Sequence, residues 1–198
     1  MNMKKLDDQG FTGLEAAIVL IAFVVVAAVF SYVVLGAGFF TTQKAQETVY
    51  AGAQQATSSF EVVGQVYGYA SGSTATSIKN VRFAVGNTAG GTAMDLTKMA
   101  VTYVDEKTRS DLRYTSATGS KLDTAITSKW STWGIRSRVN ANSNNLLEKG
   151  EQIVLQAGTP TSAKTNTRIT LNLLPSQGAA QAIHRNIPAG LNTVNILF

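Results

Sequence analysis

A run of 25 residues without a charge, from Ala16 to Phe40, constrains this 198-residue chain more than any other feature. As a helix the run measures about 37 Å, at about 1.5 Å per residue. The hydrocarbon core of a bilayer is about 30 Å thick, so the run is long enough to span a membrane with some tilt. A helix that is apolar on every side needs lipid or other apolar helices around it.

An acidic residue, Glu15, stands directly before this run, one helical turn after Phe11. A carboxylate in apolar surroundings needs a partner, because an unpaired charge there is costly. Cleavage after Gly10 would free the α-amino group of Phe11 and place a cation within reach of Glu15 of the same or a neighbouring chain. Such a pair would set the register between helices. The alternative is that Glu15 lies among lipid headgroups and is solvated.

The first ten residues form a short polar segment that contains Lys4 and Lys5. A positive flank of this kind stays in the cytoplasm and directs the following chain outward. A secretory signal peptide has a shorter apolar core, about 7 to 15 residues, followed by a cleavage site between small residues. The long run fits better with a leader that ends at Gly10 and leaves the apolar helix on the mature protein.

The pattern Gly-Phe-Thr-Gly-Leu-Glu-Ala-Ala, followed by a run of Ile, Val, Ala and Phe, resembles the class III signal of the type IV pilin superfamily. More closely, residues 9–30 resemble the N terminus of archaellins, the archaeal flagellins. The resemblance covers about residues 1–60, and residues 10–30 carry its specific part. It implies cleavage between Gly10 and Phe11 by a membrane aspartic peptidase of the prepilin-peptidase type. It also gives Glu15 the place of the acidic fifth residue of the mature chain.

The leader departs from the family pattern at one point. Many such leaders have Lys or Arg directly before the glycine that precedes the cut. Here the basic pair Lys4-Lys5 is followed by Asp7, Asp8 and Gln9 before Gly10 is reached.

The helical pattern continues beyond the apolar run into a more polar segment. Small or apolar residues recur there at steps of three or four, as on one face of a helix: Ala45, Val49, Gly52, Ala53, Ala56 and Phe60. No proline occurs before Pro160, so a single helix of about 70 Å from about Thr12 to Ser59 is predicted. Gly36 and Gly38 each weaken a helix by about 1 kcal/mol, and they indicate a bend, a close helix contact or a helix that passes straight through.

From residue 60 onward the pattern changes to period two, with β-branched and aromatic residues. Ile78, Val81, Phe83 and Val85 alternate with polar or small residues, with one slip near Asn80. About eight such strands are predicted, near residues 60–70, 78–87, 95–106, 111–115, 133–139, 152–156, 168–174 and 193–198. The fold class is therefore α+β: a long N-terminal hydrophobic α-helix followed by an antiparallel, Ig-like β-sandwich.

The predicted organisation has three parts. Residues 1–10 are a cleaved leader, residues 11–60 a filament-core or transmembrane helix, and residues 61–198 an extracellular β-sandwich domain. The last residues, Leu197 and Phe198, are apolar and predict a final strand docked into the sandwich.

No pattern typical of a metal or cofactor site emerges. The single histidine, His184, has no cysteine with which to build a zinc site. Asp105, Glu106 and Asp111 lie in or near a loop, without the Asp-x-Asp-x-Asp-Gly spacing of a calcium loop. Gly86, Gly90 and Gly91 fall between strands without a following Lys-Ser/Thr, which indicates a hairpin loop rather than a phosphate cradle. We therefore predict no metal and no cofactor.

Catalysis and nucleic-acid binding are not predicted either. No Gly-x-Ser-x-Gly motif and no acid–base pair is found, so we expect no catalytic residue and no enzyme. The net charge of +5 comes from scattered basic residues rather than a basic stripe with aromatics, which argues against a nucleic-acid partner. Trp130 and Trp133 are interpreted as core or subunit contact rather than a ligand platform.

These observations predict a structural filament subunit, and the resemblance implies that the filament is the archaeal flagellum, the archaellum, used for swimming. The precursor would sit in the cytoplasmic membrane, and the mature subunit in an extracellular filament with the Phe11–Phe40 helices at its centre. Identical subunits joined by a non-closing contact form a helical polymer. The resemblance adds a processing peptidase and an archaellum motor and assembly platform as partners, with adhesion as a second role. The alternatives are a type IV-like adhesion pilin or pseudopilin, and a single-pass membrane-anchored extracellular binding domain.

Overall fold

The protein is described here by a computed structural model that covers residues 4–72, 74–88 and 91–198, with side chains from residue 13 onward except at 56 and 57. The contacts divide the chain into two compact units, one up to Ala51 and one from Gly52 to Phe198. We call the second one the β unit.

A single helix, α1, runs without interruption over Lys4–Thr57. It begins before the predicted start near Thr12 and ends two residues before the predicted Ser59. The helix passes through Gly36 and Gly38, and a Cβ built at either glycine meets no atom within 4 Å. The glycines therefore do not break the helix, and neither of them marks a contact with the residues that the structure describes.

In the described part of the β unit there are eleven strands and one further α-helix. The strands are β1 (Phe60–Ala70), β2 (Ile78–Asn87), β3 (Met94–Asp95), β4 (Ala100–Val104), β5 (Arg109–Tyr114), β6 (Thr132–Val139), β7 (Leu146–Leu147), β8 (Gln152–Gly158), β9 (Arg168–Leu174), β10 (Gln181–Asn186) and β11 (Val194–Leu197). Helix α2 spans Gly119–Ser128, and a 3₁₀ turn spans Leu96–Lys98. The prediction of a long apolar helix followed by an antiparallel β domain is confirmed.

Nine of these strands form one sheet in the order β10-β9-β4-β5-β6-β8-β2-β1-β11, and β3 pairs with β7. Buried side chains from both halves of the large sheet belong to one hydrophobic core, so the halves face each other as in a sandwich. The two ends of the sheet also meet, because the Asn186 N–H donates to the Phe198 carbonyl at 2.6 Å.

The alternation expected for β2 is confirmed. Val81, Phe83 and Val85 are buried, and the residues between them are more exposed. The slip near Asn80 is a β-bulge, because Tyr69 pairs with Asn80 while Ala70 pairs with Ile78. An extra residue on one strand shifts the pattern by one position.

A parallel strand pair and helix α2 were not predicted. β5 pairs with β6 in parallel, through Arg113 with Thr132 and Tyr114 with Trp133. Parallel neighbours need a crossover connection, and α2 supplies it. A Cβ at Gly134 of β6 would lie 2.9 Å from Leu122 of α2, so the glycine allows the helix to pack closely on the sheet.

Candidate functional site

The largest apolar surface of the molecule lies on α1. Its Gly13–Gln55 stretch contains an 18-residue window with a mean hydropathy of 3.0 and is long and apolar enough to cross a membrane. None of the described side chains of residues 13–55 is buried. The large apolar side chains between residues 14 and 40 are 52–81% exposed. A surface of this kind requires lipid or other helices.

The residues predicted for processing and assembly all lie on this helix. Gly10 and Phe11 are within α1, and their side-chain surroundings fall outside the described part of the chain. Glu15 follows Phe11 by four residues and is exposed. Residues four apart lie on the same face of a helix, one turn from each other. Helical geometry therefore places positions 11 and 15 one turn apart on the same face of α1.

The polar residues considered for metal binding do not converge. His184 is exposed on β10, and its Nδ1 lies 3.0 Å from the Thr170 hydroxyl. Asp111 accepts a hydrogen bond from Thr102 at 2.7 Å across the β4–β5 pair. Within the described residues, no group of three or more His, Asp or Glu side chains is arranged to hold a metal ion.

Asp105 serves as the acceptor that organises the β4–β5 turn. Its Oδ1 accepts the backbone N–H groups of Lys107 and Thr108 at 2.7 and 2.6 Å. Its Oδ2 accepts the Tyr103 hydroxyl at 2.9 Å and the Ser162 hydroxyl at 2.6 Å. Both carboxylate oxygens thus have two protein donors, and the turn is tied to the loop that contains Ser162.

These contacts shift the pKa values of both partners. Burial raises the pKa of Asp105, but hydrogen bonds from Ser162, Lys107, Tyr103 and Thr108 outweigh burial and hold that pKa below its ordinary value. Burial, and then the hydrogen bond to Asp105, raise the pKa of Tyr103. Tyr103 therefore stays a neutral donor and Asp105 a charged acceptor at neutral pH.

A second polar cluster fixes helix α2 to the outer face of the sheet. Asp123 Oδ1 accepts Arg82 Nη2 at 2.9 Å and Gln156 Nε2 at 2.8 Å. Arg136 Nη1 lies 3.1 Å from Asp123 Oδ2 as an ion pair without hydrogen-bond alignment. The Arg82 guanidinium also lies 3.9 Å from the centre of the Tyr69 ring. These charges serve the packing of α2.

The two tryptophans lie close together in the chain but differ in burial. Trp133 is 1% exposed and contacts Tyr114 edge-on, with ring centres 5.1 Å apart. The core interpretation of Trp133 is confirmed. Trp130 is partly buried and packs edge-on against Tyr103 at 6.5 Å.

The final strand, β11, is docked into the β unit as predicted. Leu197 is buried and pairs with Val66, which confirms a final strand docked into the domain. The side chain of Phe198, which directly follows β11, is 73% exposed. Successive residues of a strand point to opposite faces, so Leu197 and Phe198 cannot both enter the core. Alternation in the sequence was sufficient to show this.

Comparison with known proteins gives consistent matches over nearly the whole chain. The family model of the archaeal-type flagellins matches residues 10–185. Probable flagellin 1 of Archaeoglobus fulgidus is 41% identical over 206 residues, covering 100% of this chain and 99% of that relative. Probable flagellin 1 of Aeropyrum pernix is 34% identical over 192 residues, covering 93% and 95%.

Two solved structures resemble the fold described above. The archaeal flagellum of Methanospirillum hungatei strain JF1 superposes with a TM-score of 0.70 at 34% identity, covering 94% of this chain and 99% of that one. Archaeal flagellin FlaB1 from Methanocaldococcus jannaschii gives a TM-score of 0.55 at 20% identity, covering 70% and 95%. The second similarity concerns the fold alone.

Proposed function

This chain belongs to the archaeal-type flagellin family and is a structural subunit of the archaeal flagellum filament, and from that premise we propose how it is processed and assembled. The precursor is held in the cytoplasmic membrane by α1. A prepilin-peptidase-type enzyme cleaves it between Gly10 and Phe11. The mature chain then leaves the membrane for the extracellular filament, where the α1 helices of many copies pack together.

One observation carries this proposal. None of the described side chains of residues 13–55 is buried, although the stretch contains an 18-residue window with a mean hydropathy of 3.0. Lipid satisfies this surface in the precursor, and other copies of α1 satisfy it in the filament. The chain therefore exchanges one apolar environment for another, and α1 is never left exposed to water.

The proposed domain organisation agrees with this transfer of α1 from the membrane to the filament. Residues 1–10 are the leader, residues 11–60 the helix that first spans the membrane and then forms the filament core, and residues 61–198 the extracellular β domain. The subunit acts by assembly and performs no catalysis of its own. Its partners are the peptidase, its own copies, and the membrane motor and assembly platform of the archaellum.

Glu15 has a specific part in this assembly. Cleavage after Gly10 creates an α-amino group at Phe11, one helical turn from the Glu15 carboxylate. Pairing of the two charges, within one chain or between neighbours, offsets the cost of placing either charge among apolar helices. The pair therefore favours the cleaved chain over the precursor in the filament and sets the helix register.

The first experiment is an intact mass and N-terminal sequence of subunits from filaments sheared off cells. We expect a chain that begins at Phe11. Filaments built from chains that begin at Met1 would overturn the cleavage proposal.

The role of Glu15 is tested by Glu15→Gln, which keeps the size of the side chain and removes its charge. We expect at least a tenfold loss of sedimentable filaments, while cleavage at Gly10 continues. Glu47→Gln is the matched control, since Glu47 is also an exposed acid on α1 and pairs with Lys44 at 2.7 Å. Equal filament yields from both variants would show that the Glu15 charge has no part in assembly.

A further inference from the structure

Strand β11 has an unusual outward face. Val194 and Ile196 of β11 point away from the core, as does Phe198 directly after the strand, and all three are apolar. Ile196 pairs across the strands with Tyr67 of β1, which is also exposed. The four side chains, 38–73% exposed, form what we call the β1–β11 patch. The outward face of an antiparallel strand is ordinarily polar, so an outward face made of apolar side chains is suited to a contact with another surface.

The opposite end of the same sheet shows the ordinary pattern. On β9 and β10 the outward positions carry Thr170, Asn172 and His184, and Thr170 is cross-strand partner to His184. Leu174, at the end of β9, is the large apolar exception there. The apolar character is therefore concentrated on one outer face of the β unit and is not a general property of its surface.

We infer that the β1–β11 patch is a contact surface for a second copy of this chain in the filament. The inference rests on the chain being a filament subunit, so that every β unit has copies of itself around it. A helical polymer is built from heterologous contacts, in which a patch on one subunit meets a different surface of the next. A single apolar patch on one face is suited to such a contact.

The size of the patch agrees with a second copy of the chain as its partner in the filament. Four partly exposed side chains offer on the order of a few hundred Å². A stable interface between two free proteins buries about 800 Å² per partner, so the patch is too small to hold a free dimer of β units. Packing of the α1 helices raises the local concentration of β units, and under that condition a small contact forms. The patch is thus covered in the filament and open in the dispersed subunit.

The absence of cysteine from the sequence allows a direct test. Ile196→Cys places one thiol in the patch. Leu174→Cys places one thiol outside it, and Leu174 matches Ile196 closely, with 54% exposure against 55%. Maleimide labelling rates are measured in sheared filaments and in detergent-dispersed subunits of the full-length chain. Sedimentation of filaments from the unmodified chain is measured first. A failure of cleavage or of α1 assembly appears at that step and is thereby distinguished from a failure of the patch inference.

We expect Ile196→Cys to react at least tenfold more slowly in filaments than in dispersed subunits, and Leu174→Cys to react at equal rates within twofold. A photoreactive maleimide left to react to completion on Ile196→Cys should then give a product of twice the subunit mass on illumination. Equal labelling rates of Ile196→Cys in the two states would overturn the inference. A cross-linked product with a protein of another mass would overturn the choice of a second copy as the partner.

Discussion

Helix α1 and the β unit carry their apolar side chains in opposite places. On α1 they point outward in every direction, whereas in the β unit most of them fill one core that includes Trp133 and Leu155, and the β1–β11 patch is the principal exception. The apolar side chains of the β unit bury one another, and this burial stabilises the domain. The apolar side chains of α1 are buried by lipid or by other copies of the chain. Damage to α1 should therefore appear as failed assembly, and damage to the β-unit core as lost stability.

The largest effect that tests this comparison is expected from a charge on α1. Val26 lies near the middle of the apolar run and is exposed. A lysine at the centre of a membrane helix costs about 2.5–3.5 kcal/mol on insertion scales. In the filament the same lysine is present in every subunit. We expect Val26→Lys to abolish sedimentable filaments and to leave the thermal unfolding midpoint of the dispersed subunit unchanged.

Leu174→Lys is the matched control, because it introduces the same charge at an exposed apolar residue of the β unit. It should leave filaments intact, as Leu174 lies outside the β1–β11 patch. Normal filament yield from Val26→Lys would show that the α1 surface is not the principal assembly surface.

The second prediction concerns the core of the β unit. Trp133→Ala removes the largest fully buried side chain. Truncation of a buried tryptophan or phenylalanine to alanine costs about 3–5 kcal/mol, since the lost contacts leave a cavity. We expect the free energy of unfolding of the β unit, measured by denaturant titration of dispersed subunits, to fall by this amount. Cleavage at Gly10 should not change.

Trp130→Ala provides the comparison within the same segment. Trp130 is only partly buried, and its aromatic contact is with Tyr103. A loss of about 1–2 kcal/mol is expected from the smaller area and the edge-on ring contact. If both tryptophan variants lose the same free energy of unfolding, the difference in burial between Trp133 and Trp130 does not set their contributions to stability.

The same comparison shows what the sequence predicts and what it leaves open. The apolar run and the absence of proline predict α1 well, because helix formation depends on neighbours along the chain. Alternation predicts β2, and the slip in the alternation near Asn80 is the place where the structure has a bulge. The archaellin resemblance predicts the filament, and family membership favours it over the adhesion pilin and the anchored domain.

Features that depend on distant residues were missed. Helix α2 has only Leu122 and Ile126 as buried residues, which is a weak periodic signal. Its place is set by Gly134 and by the contacts of Asp123 with Arg82 and other residues far along the sequence. The β1–β11 patch was missed for a related reason. Alternation shows which side chains leave the core, but it does not show what covers the outward face.

The smallest effect is expected from Asp105, the acid in the β4–β5 turn. Its titration should change the stability of the β unit with pH and leave filament assembly at pH 7 unchanged. The pKa of Asp105 in the folded protein lies below its ordinary value of 3.8. The stabilisation from the charged carboxylate is therefore complete above about pH 4 and is lost as the pH falls through the lower, folded-state pKa. Asp105→Asn should lower the unfolding midpoint at pH 7 and flatten its decline below about pH 4.

The measurement is the thermal unfolding midpoint of dispersed subunits from pH 7 to pH 2. Ser162→Ala removes one of the four donors to Asp105 and should give an intermediate curve. Filament yield at pH 7 should be unchanged in both variants, because the turn lies in the β unit and outside the β1–β11 patch. Curves that run parallel to that of the unmodified chain down to pH 2 would mean that Asp105 titrates alike in the folded and unfolded states. The hydrogen bonds to its carboxylate would then contribute nothing that depends on charge.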